Sequence, residues 1–191
     1  SVLSIVLSGI ITSSLFVSLL SILKFAADPN DTLPAITFWL MGSFASSGSA
    51  QITFILLPFL LGTSLLYLFR WKLNILSLGD DEAKIAGVHP KFVKSIVLGA
   101  ATVLIASAVT VSGMIGWVGL VIPHATRKII GSNHGYVLPL SSVFGALFML
   151  FSDTFARTIG FSEIPIGIIT SLTGAPLFAL LFLFKDASVH E

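Results

Sequence analysis

Cysteine is missing from this chain, which excludes disulfides, thiolate metal sites and cysteine nucleophiles together. Charge is also scarce. Lys, Arg, Asp and Glu make up 10% of the 191 residues, against about 25% in an ordinary soluble domain. The net charge of +1, with no basic run interleaved with aromatics, excludes a nucleic-acid surface. No Gly-Lys pair occurs anywhere, so the phosphate-binding pattern G-x-x-x-x-G-K-[ST] is absent. No short signal peptide with a cleavage site is visible, because the first apolar run is long enough to span a bilayer. What is present is grease: 55% hydrophobic residues and a mean hydropathy of +1.01. Helices that are apolar on all sides have lipid as their solvent, so the expected class is an all-α polytopic membrane protein.

Charge-free runs divide the chain into spans. Residues 2–23 form the first, ended by Lys24 and a turn-rich AADPND stretch. The run 32–69 is too long for one span; Pro34, Gly42 and the small polar run at 46–49 divide it. This predicts a short extracytoplasmic interfacial helix near 32–43 and a second span at 51–69. As one helix, the run 95–126 would measure about 48 Å against a hydrocarbon core of about 30 Å. It must turn back, and Gly113 and Gly116 mark the place. The third and fourth spans are then 91–111, opened by Pro90 where a missing N–H costs nothing, and 114–131. The fifth and sixth follow at 137–157 and 164–184. Residues 1–191 are thus one transmembrane domain of about six spans.

One charged island breaks the pattern. Eight of the 19 charged side chains fall within residues 70–94, between long charge-free runs. A polar segment of that length lies outside the bilayer. Asp80 suits the cap of a short helix, with Asp81 and Glu82 favourable in its first turn and Gly87 as its stop. The island reads either as a solvated loop or as a docking helix that offers Leu78, Ala83 and Val88 to a partner's groove. With the island cytoplasmic, that side receives eight Lys or Arg residues and the other receives only Lys24 and Arg157. This obeys the positive-inside rule and puts both ends of the segment in the cytoplasm.

Three ordered motifs then carry a resemblance. Leu73, Asn74, Leu76, Leu78, Gly79, Ala83, Gly87 and Val88 fit L-N-x-L-x-L-G-x-x-x-A-x-x-x-G-V. Gly113, Ile115, Gly119, Leu120, Pro123, His124, Arg127, Gly131 and His134 fit a second pattern, with Trp117 where phenylalanine is usual and Asn133 where aspartate is usual. Asp153, Arg157, Glu163, Pro165, Gly167, Gly174, Ala175 and Pro176 fit a third. The chain resembles the FecCD family, the membrane permeases of type II ABC importers for ferric siderophores, haem, cobalamin and oxyanions. Family members resemble ten-span chains, so the likeness implies that the six later spans are here and four lie elsewhere.

The resemblance also assigns roles. It makes 73–89 a cytoplasmic coupling segment, with Leu78, Gly79, Asp80, Glu82, Ala83, Gly87 and Val88 against an ATPase dimer that carries ATP and Mg; this chain binds no cofactor and catalyses nothing. Arg157 and Glu163 would meet an extracytoplasmic substrate-binding protein, although Asp153 and Arg157 also suit a local i,i+4 pair. Ser4, Ser8, Gly167, Ser171 and Gly174 would line the pathway or the interface with a second permease subunit, or else serve ordinary packing within the chain. Pro123, His124 and Arg127 form a structural motif, His124 bonding a neighbouring helix or loop; one histidine without a second ligand on its face is a poor metal site. The cargo is then a metal chelate, with ferric siderophore leading. A secondary transporter or channel would carry ionisable groups mid-span, and spans one, two, three and six have none. An intramembrane enzyme would have to rely on Asp153, His124 and Glu163, which fall near span ends at different depths.

Overall fold

The computed structural model describes residues 2–45, 47–159 and 164–186. Eight helices occupy them: α1 (Val2–Ala26), α2 (Thr32–Leu40), α3 (Ser49–Leu76), α4 (Asp80–Ile85), α5 (Pro90–Ser112), α6 (Val118–Ile130), α7 (His134–Thr158) and α8 (Ile166–Asp186). The chain divides into two compact units, Ser1–Leu40 and Met41–Glu191.

In the first unit, α1 is apolar around its whole circumference. The hydroxyls of Ser8, Ser14, Ser18 and Ser21 donate to carbonyls one turn back, at 2.8–2.9 Å. These serines are satisfied inside their own helix, which is how a hydroxyl survives in lipid. The Asp28 carboxylate then accepts from the backbone N–H groups of Asn30 and Asp31, at 2.8 and 3.2 Å, and turns the chain into α2.

In the second unit, α3 has 28 residues and rises about 42 Å, more than the bilayer core requires. It therefore runs seven residues into the charged island instead of stopping at residue 69. Within its last turns cations lie over rings of the same helix: Arg70 is 3.7 Å from the centre of Tyr67, and Lys72 4.9 Å from that of Phe69. Pro90 opens α5 as expected, and Gly113 closes it at φ 67°. Residues 113–117 are then irregular until Trp117, a non-glycine residue at φ 68°, starts α6.

Among the described residues, four helices are long and apolar enough to cross a membrane: Leu3–Ala26, Ser49–Leu76, Pro90–Ser112 and His134–Thr158. A shorter apolar helix runs over Ile166–Leu181. The expected span at 114–131 is instead five irregular residues followed by 13 helical ones, about 20 Å of helix. The left-handed backbone at Gly113 and Trp117 consumes the rest.

Small apolar clusters close the two ends of this unit. At one end Ala83, Val88 and Val93 pack with Phe69, Ile75, Leu76 and Val97, joining α3, α4 and α5. At the other, Ala156, Ile166 and Ile169 pack with Phe44, Ile115, Met149 and Ile164. Three backbone segments meet at that second end: Ser43 N–H donates to the Ser112 carbonyl at 2.9 Å, and Gly167 N–H to the Met41 carbonyl at 3.0 Å. Between the ends, α3, α5 and α7 diverge around an open apolar trough of about 850 Å³, lined by Phe59, Tyr67, Leu104 and Leu138 among others.

Candidate coupling elbow and transport path

The island folds into an elbow. Three turn bonds, from Ser77, Leu78 and Gly79 back to Leu73, Ile75 and Leu76, close the end of α3. Gly79 then adopts φ 133°, a conformation that L side chains rarely take, and becomes the N-cap of α4. Asp80 is thereby displaced from the cap that the sequence suggested for it. As the first residue of the helix it reaches across to α5, where Lys94 Nζ donates to both its carboxylate oxygens at 2.6 and 2.7 Å. Gly87, at φ 76°, stops the helix as expected.

Only part of the predicted contact surface faces outward. Ala83 is fully buried and Val88 is 4% exposed, both packed within the chain, so neither is available to a partner's groove. Leu78 is 71% exposed, as the docking reading requires. Ile85, which the sequence reading passed over, is 89% exposed. An isolated large apolar residue at the end of a short charged helix was the missed signal. Beside this apolar pair lies an acidic turn of Asp80, Asp81 and Glu82. Lys84 donates to Asp81 at 2.7 Å; this bond and the lysine's charge hold Asp81 below the usual carboxylate range and raise Lys84 in turn. Both side chains are largely exposed, so water and salt screen the pair and leave it free to regroup.

Arg157 lies at the other end of α7 from this elbow. Its Nε donates to Asp153 Oδ2 at 2.9 Å, so the local i,i+4 pair forms. The Arg157 side chain is 44% exposed. Glu163 lies outside the described residues.

The motif on α6 is local. His124 Nδ1 lies 2.8 Å from the Leu120 carbonyl of its own helix, instead of bonding a neighbouring helix or loop. Its ring meets Phe178 of α8 edge-on at 5.5 Å. Pro123 is half-buried, and Arg127 is exposed in the last turn of α6. Among the described residues no group of three His, Asp or Glu could hold a metal ion.

The two α8 glycines pack within the chain. A Cβ on Gly167 would run into the Met41 carbonyl, and one on Gly174 would lie 2.6 Å from the Cβ of Trp117. Ser171, on the same helix, is exposed, as are Ser4 and Ser8 of α1.

A bundle of long apolar helices interrupted by one charged elbow is a polytopic membrane protein. The model of the FecCD transport family matches residues 1–184, and the chain belongs to that family. It is 46% identical to the molybdate import system permease protein of Haemophilus influenzae, covering 100% of this chain and 57% of that one. It is 41% identical to a Helicobacter pylori chain named a "probable iron chelatin transport system permease protein", over 99% of this chain and 57% of the relative. A solved "inward-facing conformation" of a "metal-chelate type ABC transporter" superposes with a TM-score of 0.89 at 46% identity, covering 93% of this chain and 57% of the other. The chain thus spans a little over half the length of these relatives.

Proposed function

We propose that this chain belongs to the permease subunit of an ATP-driven importer, and that it moves a metal chelate from an extracytoplasmic binding protein to the cytoplasm. The α4 elbow carries the proposal. It is held rigidly by Ala83 and Val88 on its inner side, and it presents Leu78 and Ile85 beside an acidic turn on its outer side. An exposed apolar pair, Leu78 in the turn before α4 and Ile85 at the end of that firmly seated helix, fits a groove on a cytoplasmic ATPase with basic rims. ATP and Mg belong to that partner, in keeping with the chain's family. Nucleotide-driven closure of the ATPase dimer would bias a two-state packing of the helices and change access to the pathway.

The finer topology follows from the same reading. Six spans put α4 and both ends of the segment in the cytoplasm, α2 at the outer interface, and Arg157, with Glu163, at the outer surface for the binding protein. Ser4, Ser8 and Ser171 present weakly polar faces suited to the pathway or to a second permease subunit. Relatives named for molybdate and for iron chelatin bracket the substrate, and ferric chelate is the first to try.

Leu78→Asp and Ile85→Asp test the coupling. Burying one such side chain is worth about 1.5–3 kcal/mol, so each substitution should weaken retention of the ATPase on the solubilised permease by at least about tenfold. Retention equal to wild type in both variants would sink the reading. Uptake of ferric siderophore against molybdate by the reconstituted complex then decides the cargo.

A further inference from the structure

A side chain at the elbow is hydrogen-bonded to the start of α7. Asn74, in the last turn of α3, reaches the turn between α6 and α7. Its Oδ1 accepts from the His134 backbone N–H at 2.8 Å, and His134 Nδ1 lies 2.8 Å from the same oxygen, placed to donate as the Nδ1–H tautomer. Its Nδ2 donates to Asn133 Oδ1 at 2.9 Å. Asn133 is itself the N-cap of α7, with Oδ1 accepting from Gly135 N at 2.8 Å. That bond fixes which face of the Asn133 amide Asn74 meets, so the orientation of the Asn74 amide is set too. Both polar atoms of the side chain are occupied, across a separation of 59 to 60 residues.

The mechanical surroundings give this contact its meaning. Residues Ala83, Val88 and Val93, with Ile75 and Leu76, weld α4 to the ends of α3 and α5. Lys94 and Asp80 add a second tie between α4 and α5. The Asn74 amide grips α7 at its N-terminal cap, adding directional bonds to the packing of α3 on α7. From there α7 runs 25 residues, about 37 Å, to the Asp153–Arg157 pair at its far end.

We propose that Asn74 is a latch that transmits displacement of α4 to α7, and so links the ATPase surface to the far end of the bundle. The inference rests on the coupling role proposed for α4. A hydrogen-bonded amide suits the task because its bonds are directional and hold one register, whereas apolar packing slides. Asn74 is a positioning residue, and touches neither nucleotide nor cargo.

The test uses the full chain reconstituted with its ATPase and binding protein, and reads substrate taken up per ATP hydrolysed. Asn74→Ala should lower this ratio about fivefold or more, the scale of ordinary coupling between sites, while the ATPase stays bound. Asn74→Asp keeps the oxygen that His134 uses but loses the donor to Asn133, so it should fall between Asn74→Ala and wild type. His134→Ala should add little in the Asn74→Ala background, because both remove the same bond. Uptake per ATP equal to wild type in Asn74→Ala overturns the latch alone. So does loss of the ATPase in both Asn74 variants, which would make the residue a plain stability element. A wild-type chain that retains no ATPase sinks the coupling reading, and the latch with it.

Discussion

Gly167 and Gly174 show how much a single missing Cβ fixes here. Both sit on α8, and the sequence leaves two roles open for each, close packing within the chain or a face toward the pathway. The structure gives each an internal neighbour: the Met41 carbonyl for Gly167, and the Trp117 Cβ for Gly174. The first is a backbone atom that is itself bonded to the Gly167 N–H at 3.0 Å, so it cannot swing away. Gly167→Ala should therefore destabilise the chain by about 1–3 kcal/mol, the usual cost of overpacking, read as a lower unfolding temperature in detergent. An unchanged temperature would show that the two segments separate freely. Gly174→Ala should behave alike. Introducing Trp117→Phe should not rescue it, because phenylalanine keeps the Cβ that clashes. Rescue by Trp117→Phe would put the obstruction in the indole ring instead.

At the scale of elements, what could be read beforehand was where a proline or glycine starts or stops a helix; what could not was which side of each helix faces in. Pro90 and Gly113 bracket α5 because proline and left-handed glycine act through their own backbone, which needs no neighbours. The burial of Ala83 and Val88, the exposure of Ile85 and the partners of Asn74 depend on segments far apart in sequence, and no local pattern encodes them. The length of α6 escaped for a related reason, since left-handed backbone at a tryptophan is not a residue preference. Helix contact in the bundle shows the same contrast between local and distant causes. A Cβ on Gly62 of α3 would lie 2.6 Å from Leu104 Cγ of α5, whereas one on Gly99 of α5 would meet nothing within 4 Å. Small residues let membrane helices approach, so Gly62→Ala should push α3 and α5 apart and cost about 1–3 kcal/mol. Gly99→Ala should be neutral or stabilising by up to about 1 kcal/mol through helix propensity alone. Equal effects on thermal stability would refute the close α3–α5 contact.

For the molecule as a whole, the question left by the short α6 is whether the chain crosses the membrane between α5 and α7. The bonds from Asn74 bear on it directly. They hold the start of α7 against the end of α3, the same end at which α5 begins. Since α5 runs the full length of the bundle, the 20 residues from Gly113 to Ser132 must bring the chain back. Five irregular residues and a 13-residue helix suffice only if the irregular part lies at membrane depth. Such backbone is tolerated there when it is covered by protein, and Ile115 is packed against Ile166 and Ala156 in this way. The absence of cysteine makes the crossing directly measurable. Single replacements Ser77→Cys and Ser132→Cys, both at exposed positions, should react with a membrane-impermeant maleimide only from the cytoplasmic face of sealed vesicles. Thr158→Cys should react only from the opposite face. If Ser77→Cys and Ser132→Cys label from different sides, residues 113–130 do not cross and the six-span topology fails. If both label together but from the outer face, the spans stand and the orientation is inverted, which removes α4 from reach of any cytoplasmic ATPase.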